Sequence, residues 1–119
     1  MSLTGYNKDV ITSKRVVKIY QDQFGREPYT EWLKSFKDPV VRARIRKRIS
    51  KVEEGNLGVL DPVGEGVLEL KLHFGPGYRV YFGEFGTQLV VILCGGNKSS
   101  QKEDIRKAKN LWKEFKESK

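Results

Sequence analysis

Apolar and polar residues alternate along two neighbouring segments in the middle of the chain. Between residues 68 and 74 every second side chain is apolar, and the same spacing recurs between residues 78 and 82. A period of two predicts strands that bury one face and expose the other. Gly75-Pro76-Gly77 separates the two segments and supplies turn chemistry. The sequence therefore predicts a β-hairpin over residues 68–82.

The register of this hairpin decides which polar side chains meet. If residues 75–77 form a three-residue loop, Leu72 lies opposite Val80 and His73 lies opposite Arg79. A register shifted by one residue would mix the apolar and polar faces. The polar residues collected on one face, our candidate catalytic residues, are Lys71, His73, Arg79 and Tyr81. Two cations, an imidazole and a phenol on one surface suit a site that handles phosphate.

The same kind of pattern predicts further strands and helices. Pro28 marks the start of one helix, and Asp38 with Pro39 marks the start of a second, because proline is tolerated in the first helical turn. Residues 57–66 are rich in glycine and are interpreted as a loop. The predicted elements are strands over residues 14–21, 68–74, 78–82 and 88–94 and helices over residues 28–36, 39–54 and 101–117.

The order of these elements predicts an α+β fold, β-α-α-β-β-β-α, with a small, mostly antiparallel sheet and helices packed on one face. The final helix begins at Ser100 and Glu103, which have the spacing of a capping box. Helices on the apolar side would leave the polar face of the hairpin open to solvent. We expect a single domain over residues 1–119, with residues 1–13 loosely ordered.

Charge adds a second expectation, an anionic partner. The formal net charge is +8, and six cations on the second helix precede its first acidic residue, Glu53. Ordinary pairing between residues four apart is therefore largely unavailable, and such a run indicates a partner such as nucleic acid, an acidic protein or a membrane surface. The six cations are Arg42, Arg44, Arg46, Lys47, Arg48 and Lys51.

Other features limit the classes of function. The lone cysteine, Cys94, excludes an intramolecular disulfide, and no apolar segment approaches the ~18 residues of a membrane span. We expect a cytoplasmic protein with no membrane association. Scattered carboxylates, one histidine and one cysteine show no metal-ligand spacing, so we expect neither a metal nor another cofactor.

Two stretches, LELKLHFGPGYRVYF and VVILCGGNKSSQKEDIRKAK, resemble a known family. They are similar to the toxins of type II toxin–antitoxin modules, in the RelE/ParE superfamily, of the HigB or phage Gp49-like type known as addiction-module killer proteins. The resemblance implies a RelE-like fold and an endoribonuclease that cuts mRNA, usually on the ribosome, and arrests growth. It also implies a cognate helix-turn-helix antitoxin as partner.

Carried over by position, the resemblance implies roles for two residues. Arg79 matches the arginine that contacts the scissile phosphate, and Lys71 matches a basic residue of the preceding strand. The best-known members carry a catalytic tyrosine or histidine near the C-terminus. This chain has no tyrosine after Tyr81 and no histidine besides His73, so the general base of the family does not transfer.

These residues suggest cleavage without metal, with the RNA 2′-hydroxyl attacking its own phosphate. Arg79 would stabilise the added charge, Lys71 would supply positive field, and His73 would carry protons. Tyr81 would orient or donate to the nucleotide. Under this hypothesis Arg79→Ala abolishes cleavage and leaves the fold intact. The residues expected to hold the RNA backbone are Arg42, Arg46, Lys47 and Lys98.

Two alternatives remain open at this point. A ParE-like poison of DNA gyrase would share the fold and need a gyrase-binding surface. A non-catalytic module would be basic only to bind an acidic antitoxin or nucleic acid, and its binding would weaken steeply with salt.

Overall fold

A computed structural model of the chain describes residues 16–55, 60–86 and 89–118. The expected loose order of residues 1–13 therefore lies outside the described residues. The strands are β1 (Val16–Ile19), β2 (Leu60–Gly64), β3 (Val67–Lys71), β4 (Arg79–Phe85) and β5 (Leu89–Gly96). The helices are α1 (Pro28–Lys34), α2 (Pro39–Glu53) and α3 (Gln101–Glu117), and a short 3-10 turn, Lys98–Ser100, precedes α3.

The five strands form one mixed sheet in the order β1-β5-β4-β3-β2. Strand β1 runs parallel to β5, and the other neighbours are antiparallel. The predicted class, α+β with a small sheet, agrees with this architecture. The predicted element order is wrong by one strand, because β2 lies inside the segment interpreted as a loop.

Strand β2 was interpreted as a loop because of its composition. It contains Pro62 and Gly64, residues that weaken a strand signal. Proline is tolerated at the edge of a sheet, where its missing N–H deprives no neighbour of a hydrogen bond. Here β2 is the outer neighbour of β3, and the pairing shifts by one residue between Pro62 and Gly64.

Helices cover both faces of the sheet, so the prediction that they pack on one face is wrong. Strand β5 shows the reason, since its consecutive side chains point to opposite sides. Val90 and Ile92 belong to a core cluster with residues of α1 and α2. Val91 and Leu93 belong to a second cluster with Ala108 and Trp112 of α3. The continuous apolar run of β5 is thus the pattern of a strand covered on both faces.

The hairpin register differs from the predicted one by two residues. Lys71 lies opposite Arg79, and Glu69 lies opposite Tyr81. The amide of Leu72 donates to the Tyr78 carbonyl at 2.9 Å, so residues 73–77 form a five-residue connection. A shift of two preserves the side to which every residue points, and the apolar face was therefore predicted correctly. The cross-strand partners of the polar residues were not.

The helix starts follow local capping chemistry. The Asp38 side chain accepts the Val40 amide and Pro39 occupies the first turn of α2, which confirms both predicted signals. The capping box expected from Ser100 and Glu103 is wrong. Asn97 forms it instead, since its side chain accepts the Ser99 and Ser100 amides and its own amide donates to the Ser100 hydroxyl.

Two glycines allow tryptophans to approach the sheet from opposite sides. A Cβ at Gly83 would overlap the indole of Trp112 from α3. A Cβ at Gly95 would overlap the indole of Trp32 from α1. The predicted strand ended at residue 94, but Gly95 and Gly96 both lie within β5. Their small size fixes how closely the helices pack.

We therefore expect Gly83→Ala and Gly95→Ala each to lower the free energy of unfolding by about 1–3 kcal/mol, because the added methyl forces an indole to move. Urea unfolding followed by tryptophan fluorescence measures the loss. Gly86→Asn is the control. Gly86 has φ 69°, which asparagine tolerates, and a Cβ there would meet no atom of the described residues within 4 Å. Its effect should stay within about 0.5 kcal/mol, and an equal loss at all three positions would contradict this account.

Candidate nucleic-acid interface

Three cations meet at one end of the sheet, and we call them the cationic row: Lys71, Arg79 and Lys98. Lys71 and Arg79 are directly opposed on β3 and β4, and Arg79 is opposed in turn by Gly96 of β5. The chain passes from Gly96 to Lys98 at the start of the 3-10 turn. A Cβ at Gly77 would lie 3.3 Å from both Arg79 Nη1 and Lys98 Cβ, which shows how closely these groups assemble.

A buried polar network lies directly behind the row. The Tyr81 hydroxyl donates to Glu69 Oε2 at 2.9 Å, and the Gln101 side chain donates to the same oxygen at 2.8 Å. Arg79 Nε lies 3.5 Å from this oxygen, and Arg79 Nη1 donates to the Gly77 carbonyl at 2.9 Å. Glu69 is only 2% exposed. Buried charges are retained in proteins when they are paired in this way.

Glu69 was not among the predicted site residues. It was passed over because the assumed register set Lys71, not Glu69, opposite Tyr81. The correct register joins a carboxylate to a phenol and leaves a guanidinium one pair away. One signal in the sequence could have identified it. Glu69 is an acidic residue that lies between apolar residues in a predicted strand, beside the predicted site residue Lys71.

The prediction of an open face shared by four polar residues is wrong. Tyr81 is fully buried and Arg79 is 8% exposed, because α3 covers this side of the sheet. Burial and the Glu69 carboxylate raise the pKa of Tyr81 far above that of a free phenol. Its hydroxyl is therefore a hydrogen-bond donor to Glu69, without access to a nucleotide. Only Lys71 and His73 of the four are exposed.

His73 lies in the hairpin connection and not opposite Arg79. It lines a groove of about 360 Å³ between α2 and the hairpin, which we call the basic groove. Its lining residues include no acid, and they are Arg44, Lys47, Arg48, Lys51, Lys71, Leu72, His73 and Phe74. The guanidinium carbon of Arg44 lies 4.0 Å from the centroid of the Phe74 ring. Lys71 borders the groove and also belongs to the cationic row.

The four predicted RNA-binding residues are spread over different surroundings. Lys47 lines the basic groove and Lys98 is exposed in the cationic row. Arg42 instead donates to the Phe36 carbonyl through Nη1, and Arg46 lines an apolar cavity beside Tyr29 and other core residues. The groove cations of α2 that were not singled out are Arg44, Arg48 and Lys51. Together with Lys47 they have the helical spacing i, i+3, i+4, i+7, which could have identified them.

Two further features limit the chemistry of this surface. Lys71 lies 3.7 Å from Asp61 of β2, with 43% and 45% of the two side chains exposed, so the contact is a surface ion pair. Burial raises the pKa of the Cys94 thiol to about 12, so it is protonated at neutral pH.

Within residues 16–55, 60–86 and 89–118, no group of three or more His, Cys, Asp or Glu side chains could hold a metal ion. No helix among them is both long and apolar enough to cross a membrane.

The burial of Arg79 changes the expected result of removing it. Arg79→Ala leaves the Glu69 carboxylate buried without its cation and should destabilise the fold by about 3–5 kcal/mol. Lys71→Ala, on the directly opposed residue, breaks only the exposed pair with Asp61 and should change stability by less than about 1 kcal/mol. Urea unfolding of the two variants measures the difference. Equal stabilities would show that the Arg79–Glu69 pair contributes little to the fold.

Comparison with known proteins places the chain in a family. A model of the family described as Phage derived protein Gp49-like (DUF891) matches residues 31–113, which span part of α1, all of α2, the strands β2 to β5 and most of α3. An uncharacterized protein of Haemophilus influenzae is 41% identical over 87 residues, which cover 73% of this chain and 88% of that protein. The match confirms the resemblance drawn from the hairpin and the turn after β5. The chain belongs to the Gp49-like family, of the RelE-like addiction-module killer type, and at the level of the family this indicates a toxin with an antitoxin partner.

Proposed function

We propose that this protein is the toxin of a type II toxin–antitoxin module and that it arrests growth by cutting mRNA without a metal ion. The observation that carries the proposal is the continuity of the cationic row with the basic groove through Lys71. A groove lined by cations and no acid matches the charge of a phosphodiester backbone. The family membership supports the toxin part of the proposal.

The proposed reaction needs no group beyond the RNA and the side chains. The 2′-hydroxyl loses its proton and its oxygen attacks the adjacent phosphorus. The bond from phosphorus to the 5′-oxygen breaks, and that oxygen takes up a proton. The products are a 2′,3′-cyclic phosphate and a 5′-hydroxyl. The protein must align these atoms, stabilise the added negative charge and move two protons.

We assign the charge-stabilising role to Arg79 and Lys71. A guanidinium can grip phosphate oxygens through two N–H groups, and Lys71 adds an exposed ammonium beside it. His73 is the candidate proton carrier, because its imidazole is exposed and can both accept and donate a proton. Tyr81 has no direct role in this scheme. It acts through Glu69, to which its hydroxyl is bonded.

We further propose that the basic groove and Lys98 bind the RNA backbone on either side of the reacting phosphate. The planar Arg44 guanidinium, which lies over the Phe74 ring, offers a surface on which a base can stack. We propose mRNA on the ribosome as the substrate and a helix-turn-helix antitoxin as the partner. Both assignments rest on the family resemblance.

The burial of Tyr81 and Arg79 favours a second candidate function, in which the protein binds but does not cut. With Tyr81 sealed and Arg79 nearly so, the surface could serve binding alone. Such a protein would bind RNA or an acidic antitoxin through the basic groove and would cut nothing. The absence of cleavage by a protein that binds RNA would favour this candidate.

Controlled expression of the chain in bacteria should arrest growth and generate new transcript ends that carry a 5′-hydroxyl. Cleavage should persist with EDTA in a purified translation system. His73→Ala should reduce cleavage at pH 7 by about 10²–10⁴-fold if His73 transfers a proton, and it should leave stability unchanged because the side chain is exposed. Growth arrest with intact transcripts and altered DNA supercoiling would instead identify a gyrase poison.

The groove itself is tested by binding, separately from cleavage. The double variant Lys47→Ala/Lys51→Ala removes two groove cations, so affinity for a 2′-O-methyl RNA, which cannot be cut, should fall. The plot of log affinity against log salt concentration should become less steep by about 1.4, which is about 0.7 for each of the two lost phosphate contacts. Fluorescence anisotropy measures both quantities.

The matched control is Lys107→Ala/Lys113→Ala, which removes two exposed cations from α3. Its net charge equals that of the groove variant. If both variants lose the same affinity, binding follows net charge and the groove has no specific role.

A further inference from the structure

We propose that Glu69 is a positioning residue that holds the Arg79 guanidinium by charge alone and so leaves it able to turn toward a phosphate. This inference rests on the proposed nuclease function and deepens it. Glu69 lies on β3, its partner Tyr81 on β4 and its partner Gln101 on α3. The carboxylate is therefore fixed by three separate elements of the fold. Arg79, by contrast, lies at the first position of β4 and reaches the end of the sheet.

The three contacts of Glu69 converge on one oxygen. Oε2 accepts the Tyr81 hydroxyl at 2.9 Å and the Gln101 amide at 2.8 Å. A carboxylate oxygen has two lone-pair directions, and these two donors occupy them. Arg79 Nε lies farther away, at 3.5 Å, and makes no hydrogen bond with any described residue although it is buried. The two stronger contacts thus occupy Oε2, and Nε is left near it at ion-pair distance.

A buried donor without a partner is unfavourable, and one in a folded protein calls for an explanation. The ion pair still attracts the guanidinium, since Coulomb attraction does not depend on direction. The hydrogen bond from Nη1 to the Gly77 carbonyl gives the guanidinium one directional anchor, in the hairpin connection. The guanidinium is therefore retained at the cationic row with a donor not yet committed. An incoming phosphate can draw the guanidinium outward without first breaking a hydrogen bond to Glu69.

The test compares Glu69→Gln with a matched acidic control. Glu69→Gln keeps the shape of the side chain and removes its charge, so Arg79 loses its tether. We expect kcat for RNA cleavage to fall about 100-fold, as for a misplacement of about 1 Å, with KM changed less than threefold. Glu103→Gln, at an exposed residue of α3 paired with Arg106, should change neither constant. An unchanged kcat in Glu69→Gln, with or without a lower melting temperature, would overturn the proposal.

Tyr81→Phe supplies a second variant that keeps the charge of Glu69. Removal of the hydroxyl frees a lone pair on Oε2, so Arg79 Nε should form the hydrogen bond that it now lacks. The Nε–H resonance of Arg79 in the NMR spectrum should then move downfield, and kcat should fall because the donor is committed. If neither the resonance nor kcat changes, the proposal is wrong.

Binding of inorganic phosphate separates this inference from the proposed function. In the unmodified protein, phosphate should shift the Nε–H resonance of Arg79, and in Glu69→Gln the shift should be lost. This result is expected whether or not the protein cuts RNA. A protein that cuts no RNA but shows the phosphate shift refutes the proposed function and keeps the assignment of Glu69. Equal phosphate shifts in both proteins refute the assignment.

Discussion

A buried ion pair between Glu69 and Arg79 is the interaction on which the arrangement of this protein depends. A lone carboxylate in this position would be unstable, because burial removes the water that solvates its charge. The pair becomes tolerable because Tyr81 and Gln101 also donate to Glu69, and these donors come from β4 and α3. The network therefore ties the hairpin to the last helix. It also fixes the register that sets Lys71 opposite Arg79.

The second constraint is the close approach of helices to both sides of the sheet. Gly83 and Gly95 have no side chain where the indoles of Trp112 and Trp32 lie. Because helices cover both faces, polar groups in the middle of the central strands become buried, as Glu69 and Tyr81 are. Arg79 at the start of β4 and Lys71 at the end of β3 lie at such an end. The cationic row therefore lies at the end of the sheet, where Lys71 is exposed beside the buried Arg79.

The sequence predicted the parts of this fold that local chemistry determines. Asp38 and Pro39 specify the start of α2, and the apolar run of β5 specifies a strand covered on both faces. It could not give the hairpin register, because shifts of two residues preserve the apolar pattern, and turn chemistry allows loops of several lengths. Strand β2 was missed because pairing at a sheet edge tolerates Pro62. The candidate site was predicted least accurately, because a two-residue error in the hairpin register replaced Glu69 with Lys71 as the partner of Tyr81.

The basic groove adds an argument from stability that is independent of the ion pair. Its helical cations lie three and four residues apart, and like charges at these spacings destabilise a helix by about 0.2–0.5 kcal/mol per pair. Helix α2 tolerates this repulsion because Ile45, Ile49 and Val52 bury its opposite face. The Arg44 guanidinium packs over the Phe74 ring, whereas the side chains of Lys47 and Lys51 are exposed to solvent. Exposed cations that repel one another along a helix and line a positive groove are expected where function, not stability, determines the residues.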